Sequence, residues 1–211
     1  MASSHAFAAR LGGTVLEREE PRTGGPRGPE APPPSGDGGG DSSPERRRLA
    51  AATGILLVLA AVTMFFMALT SAFLVRKGTG GDWVPLRLPA ILWANTAILV
   101  ISSAFLEVAR RREKRGWLHL ATVLGLAFLA GQLVAWKDLA AQGVYVWTNP
   151  GASFFYVLTA AHGVHLAGGV AALLYAGTAR ARENVLRVAA TYWHFMGVLW
   201  IYLLLLLRFG G

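Results

Sequence analysis

The 211-residue chain contains no cysteine, which excludes disulfides, iron–sulfur clusters, thiolate zinc sites and the cysteine-bridged copper centres that carry electrons. Charge is also scarce. Only 15% of residues are charged against 54% apolar, far from the balance of a soluble domain. The period-two alternation of a transmembrane β-barrel is missing, and no apolar signal-peptide core follows Met1. Glu17, Glu19 and Glu20 argue against an organellar transit peptide, which is typically poor in acids, so the first membrane helix is expected to drive insertion. Residues 1–45 carry four Arg against seven Asp and Glu, so the positive excess arises wholly from the remainder, which carries +11 against +8 for the whole chain. There it bears on orientation and lipid headgroups. Little soluble surface is left, and no nucleic-acid partner is expected.

What the sequence does contain is five long apolar runs behind a polar tail. The tail, residues 1–45, is rich in Gly, Pro, Ser and mixed charge, as in Pro21-Arg22-Thr23-Gly24-Gly25-Pro26 and Ala31-Pro32-Pro33-Pro34. Such a stretch cannot bury enough apolar surface to offset its ordering entropy and is expected to be disordered, with Phe7 to Leu16 its one apolar patch. The rest, residues 46–211, forms the membrane domain. Its runs cover about 49–75, 89–109, 117–140, 152–179 and 185–207, each about 20 residues or longer and so able to cross roughly 30 Å of hydrocarbon as a helix. Lipid offers no partners to backbone polar groups, so the runs must be helices. The expected fold is an all-α, polytopic membrane bundle of five transmembrane helices.

The connections carry the orientation signal. Arg46, Arg47 and Arg48 precede the first helix; Arg110, Arg111, Arg112, Lys114 and Arg115 fill the second connection, and Arg180, Arg182 and Arg187 belong to the fourth. The opposite side has Arg76, Lys77, Arg87, Lys137 and Arg208, so eleven cations face five. The positive-inside rule then puts the N-terminus in the cytoplasm and the C-terminus outside, in a bacterial cytoplasmic (inner) membrane. Trp83, Trp117, Tyr145 and Trp147 sit near helix ends, where amphipathic rings settle at the headgroup level.

Polar residues inside the spans are costly and become the candidates for function. On the second helix Thr96, Ser103 and Glu107 share one face, and Asn95 and Ser102 form an adjacent stripe; Gln132 lies on the third. Glu107 is followed by Arg110 and Arg111 at i+3 and i+4, so an ion pair at the interface competes evenly with a functional carboxylate. His162 and His165 lie one turn apart on the fourth helix, and His194 is on the fifth. A haem–copper catalytic centre needs more ligands than these, and no HExxH pattern exists, so histidines tying helices together are favoured over a metal site. Glu107, His165 and His194 fall in the same half of the membrane and are expected to form one buried polar cluster, with His162 close by. Ala127/Gly131 and Gly163/Ala167 have the small-xxx-small spacing of packed membrane helices.

The last two helices read Ser153-Phe154-Phe155-Tyr156-Val157-Leu158-Thr159-Ala160-Ala161-His162-Gly163-Val164-His165 with Gly168-Gly169, then Tyr192-Trp193-His194-Phe195 leading to Leu199-Trp200-Ile201-Tyr202. This pair resembles subunit III of the haem–copper respiratory oxidases, as in cytochrome c oxidase. Asn95-Thr96, Ser102-Ser103, Glu107 and Gly131-Gln132 agree with it, and the resemblance spans about residues 50–208. It departs at two points. Family members commonly carry a buried Glu just before a Met-Phe-Phe stretch, whereas here Val62 and Thr63 precede Met64-Phe65-Phe66; and many have an Asp where this chain has Gly197. Five helices match the family's shorter form.

The resemblance implies an accessory subunit of a proton-pumping terminal oxidase that reduces oxygen to water. The chain would bind no haem or copper itself; those belong to a catalytic subunit I and a copper-bearing subunit II. It would hold phospholipids in a cleft and support proton uptake and turnover stability, with membership of a respiratory supercomplex left open. Two alternatives stay open: the related accessory subunit of a nitric-oxide reductase, and an independent transporter or haem-binding protein built on His162, His165 and His194. Electron donor, lipid identity and the tail's role are not legible in the residues.

Overall fold

Each apolar run becomes one helix in a computed structural model, which describes residues 44–86, 88–112, 114–178 and 183–210. The helices are α1 (Pro44–Thr79), α2 (Ile91–Arg112), α3 (Arg115–Ala141), α4 (Pro150–Ala176) and α5 (Glu183–Phe209), with no strand among the described residues. All five are long and apolar enough to cross a membrane. The expected tail, residues 1–45, lies outside the described residues except for Pro44 and Glu45, which already belong to α1.

Local chemistry sets the helix ends. Asn149 caps α4, its side chain accepting a hydrogen bond from the Ala152 N–H at 2.8 Å, and Pro150 follows at the first helical position where a missing N–H costs nothing. Gly143 ends α3 with φ +77°, a conformation that a Cβ would oppose. The Gly143 N–H then bonds Ala140 O and the Val144 N–H bonds Leu139 O, both at 3.0 Å, which is the paired pattern of a Schellman stop. At its far end α4 stops at Ala176, three residues short of the expected 179, because Gly177 and Thr178 turn their N–H groups back onto Leu173, Leu174 and Tyr175.

Four helices close a ring, with α2 against α3, α3 against α4, α4 against α5 and α5 against α2. α1 stands outside it and, among the described residues, touches only α4 and α5. Burial follows that arrangement: 11% of the apolar window of α1 is buried within the chain against 44% of that of α5. The buried side of α1 is one stripe, Val62, Phe66, Thr70 and Phe73, at the spacing of a single helix face.

Glycine lets the ring close. The Trp193 indole of α5 wedges into a slot between Gly125 of α3 and Gly169 of α4; a Cβ on Gly125 would collide with the ring, and one on Gly169 would lie 3.2 Å from it. A Cβ on Gly131 would strike the Asn95 amide of α2. Of the small residues singled out by spacing, Gly131 thus marks a close approach, whereas Gly163 has only Leu129 at 4.0 Å and Ala167 is exposed.

Candidate functional site

The α2 polar stripes divide between two neighbours. Thr96, Ser103 and Glu107 face α5 in antiparallel register: Trp200 Nε1 donates to Thr96 Oγ1 at 3.0 Å, Gly197 sits opposite Ser103, and His194 opposite Glu107. Thr96 also returns its own proton to Leu92 O at 2.8 Å. The adjacent stripe faces α3, where Ser102 Oγ donates to Ala121 O at 2.8 Å and Asn95 presses on Gly131. An α3 without side-chain bulk at these levels lets a serine reach a main-chain carbonyl across the interface. Each such bond between membrane helices contributes about 0.6 kcal/mol on average.

Glu107 is held by two arginines. Its carboxylate accepts from Arg110 Nε at 2.9 Å and Nη2 at 2.7 Å, and from Arg111 Nε at 2.6 Å. His194 Nε2 stands 3.9 Å away, too far for a hydrogen bond but near enough to attract the carboxylate when the imidazole is protonated. The Glu107 side chain is only partly exposed, so α2 and α5 meet here at a charged corner of the bundle.

The expected single cluster of Glu107, His165 and His194 is therefore split. Glu107 and His194 come together, but His165 joins neither by a hydrogen bond or ion pair among the described residues. Its ring lies 5.9 Å from Phe65 and 5.6 Å from Phe66 of α1, and its Nδ1 is 2.7 Å from Ala161 O one turn back. Azimuth decides this. The α4 face bearing His165 turns toward α1, while the α5 face bearing His194 turns toward α2.

His162 occupies the centre. It is fully buried, with ring centroids of Trp200 at 5.1 Å, Phe128 at 6.0 Å and Phe66 at 6.5 Å. Side chains from α1, α3 and α5 thus enclose an α4 imidazole. Neither of its ring nitrogens has a hydrogen-bond partner, and the same holds for the Gln132 amide, Asn95 Nδ2 and Trp193 Nε1. No set of three or more His, Cys, Asp or Glu residues converges to hold a metal among the described residues.

Several polar ties escaped the sequence. Trp136 Nε1 donates to Thr159 Oγ1 at 3.1 Å, joining α3 to α4. The Tyr192 hydroxyl donates to His165 O at 3.0 Å, joining α5 to α4, and that of Tyr202 donates to Thr70 Oγ1 at 3.0 Å, joining α5 to α1. Trp, Tyr and Thr at helical spacing were visible; their partners on other helices were not. At the positions where the expected acid is absent, Val62 is buried and Thr63 spends its hydroxyl on Leu59 O at 2.7 Å.

No family model matches the chain. Among curated relatives, the cytochrome c oxidase subunit 3 of Thermostichus vulcanus is 30% identical over 163 residues, covering 69% of this chain and 80% of the relative. That of Synechocystis sp. is 30% identical over 160 residues, with 67% of each chain covered. A probable cytochrome c oxidase subunit 3 of Mycobacterium tuberculosis is 28% identical over 164 residues, covering 69% of this chain and 81% of the relative.

Proposed function

The chain belongs to the cytochrome c oxidase subunit III family, and from that premise we propose that it is the accessory subunit of a proton-pumping oxidase reducing oxygen to water. It holds no redox centre of its own and packs beside a haem–copper catalytic subunit I and a copper-bearing subunit II. One observation carries this reading: His162, Trp193 and Trp200 of the α4 and α5 motifs are spent on packing the core, while α1 presents most of its apolar surface outward. A chain so built has a surface for neighbours rather than a site for chemistry.

Orientation follows the charge count, with the tail and the α2–α3 and α4–α5 connections on the cytoplasmic side of a bacterial inner membrane. Lipid binding is supported by two hollows of about 360 Å³ flanking α1, one lined by Leu49, Ile55 and Arg187, the other by Val58, Ala172 and Tyr192. Their apolar walls suit acyl chains, and Arg187 suits a headgroup. Support of proton uptake comes through holding the catalytic subunit's structure, since Val62 offers no carboxylate and Glu107 is committed to Arg110 and Arg111.

Affinity purification of the full chain from native membranes, with its companions identified, tests the reading. Recovery of a haem–copper catalytic subunit and a copper-bearing subunit is expected. Recovery of neither overturns it, and recovery of a nitric-oxide reductase in their place transfers the chain to that assembly.

A further inference from the structure

A hollow of about 490 Å³ opens on the side of the bundle at the end opposite the Glu107 corner, between α3, α4 and the connection that joins them. Its walls are Leu133, Trp136, Tyr145, Trp147 and Tyr156, and its one charged lining residue is Lys137. That size falls in the range that takes small organic ligands. Lys137 makes no ion pair among the described residues, and the nearest acid in sequence, Asp138, makes none with it either.

The hollow is preformed. Tyr145 and Trp147 stack with ring centroids 5.2 Å apart and planes 5° from parallel. The Tyr156 hydroxyl donates to Val144 O at 2.9 Å, Ser153 Oγ donates to Val146 O, and Thr148 Oγ1 accepts from the Tyr145 N–H at 2.8 Å. Two α4 side chains thus tie residues 144–146 to α4, and Thr148 closes the connection on itself. Yet Trp147 is 78% exposed and Leu133 56%, an apolar surface at the level where α3 ends.

We propose that this hollow is a binding site for an anionic phospholipid, distinct from the hollows beside α1. The acyl chain lies along Leu133 and the Trp136 ring, and the phosphate sits at the Lys137 ammonium. The Tyr145–Trp147 stack flanks the glycerol region, where amphipathic rings belong. Charge selects the occupant: an apolar floor with one unpaired cation at its rim matches an amphiphile with a single negative head. A protein partner would have to pair Lys137 with an acid and cover the aromatic wall.

The test uses the full chain, with whatever subunits accompany it, in nanodiscs of phosphatidylcholine doped with phosphatidylglycerol, reading retained lipid by native mass spectrometry. The wild type is expected to keep one more phosphatidylglycerol than Lys137→Gln, with about a fivefold drop in its retention on losing one lysine–headgroup attraction. Lys137→Arg should retain it. Ala140→Trp, which fills the hollow and leaves the charge, should release both lipids alike. Equal phosphatidylglycerol retention in wild type and Lys137→Gln overturns the proposal, as does a subunit found crosslinked to a photoreactive residue at position 147 in place of lipid. Either failure leaves the oxidase assignment standing, because that rests on co-purifying subunits.

Discussion

α1 and the α2–α5 ring share one chain and one apolar character, yet they are held by different means. α1 has the highest mean hydropathy of the five spans, 2.4, and the smallest buried share, 11%. The ring helices are less apolar, at 1.6 to 1.8, and more deeply buried, at 28 to 44%. Apolar side chains gain nothing by leaving lipid for protein, so hydropathy in a bilayer reports exposure to lipid, and polarity reports contact. The ring accordingly gathers Asn95, Ser102, Thr122, Gln132, Thr159 and His162 in its interior, whereas α1 adds only Thr70 to the buried polar set.

Substitutions that add bulk should separate the two regions most sharply. Gly125→Leu drives a side chain into the Trp193 slot and is expected to lower stability by about 2–3 kcal/mol, or to prevent the ring from closing. Gly54→Leu on α1 meets nothing within 4 Å and should leave stability unchanged or raise it by up to about 1 kcal/mol through helix propensity. Thermal denaturation in detergent micelles compares them directly, and equal losses would erase the distinction.

Removing a single hydroxyl gives a smaller contrast. Thr96→Val leaves Trp200 Nε1 without its acceptor and is expected to cost about 1 kcal/mol. Thr63→Val on α1 loses only a bond to its own helix and should fall within about 0.5 kcal/mol of the wild type. A matched loss at Thr63, read from the same melting curves, would mean that α1 is held more firmly than its burial suggests.

The faintest effect belongs to the α1–α2 connection. Arg76 and Asp82 pair at 2.7 Å in the open, and the hydrogen bond from the Arg76 guanidinium holds the Asp82 carboxyl below the usual carboxylate range. A depressed folded pKa contributes stability above the unfolded value of about 3.9 and loses it as pH falls through the folded value. Asp82→Asn should therefore flatten the acid limb of the stability curve and change little near neutrality. A difference confined to neutral pH would point to some other role for Asp82.

Five spans were legible in the sequence because a bilayer permits so few alternatives: length, hydropathy and the positions of arginine leave little else to build. The ring order was not legible, since nothing along one helix names its neighbour. Small-residue spacing found Gly131 but also pointed to Gly163 and Ala167, whereas the Trp193 contacts fall at Gly125 and Gly169, because the motif states which residues share a face and not which face is covered. The polar cluster failed for the same reason. Depth placed Glu107, His165 and His194 at one level, and rotation about the helix axes sent His165 to α1. His162, read as an accompaniment to that cluster, stands instead at the centre of the aromatic shell.

The Trp193 slot also orders events in time. A ribosome delivers α3 and α4 before α5, so the two helices enter the membrane with a gap between Gly125 and Gly169 that neither can fill. The ring closes only when the last helix brings its indole. This joint is thus the last to be made, and a chain cut short before residue 193 is left with every earlier span inserted and no completed bundle.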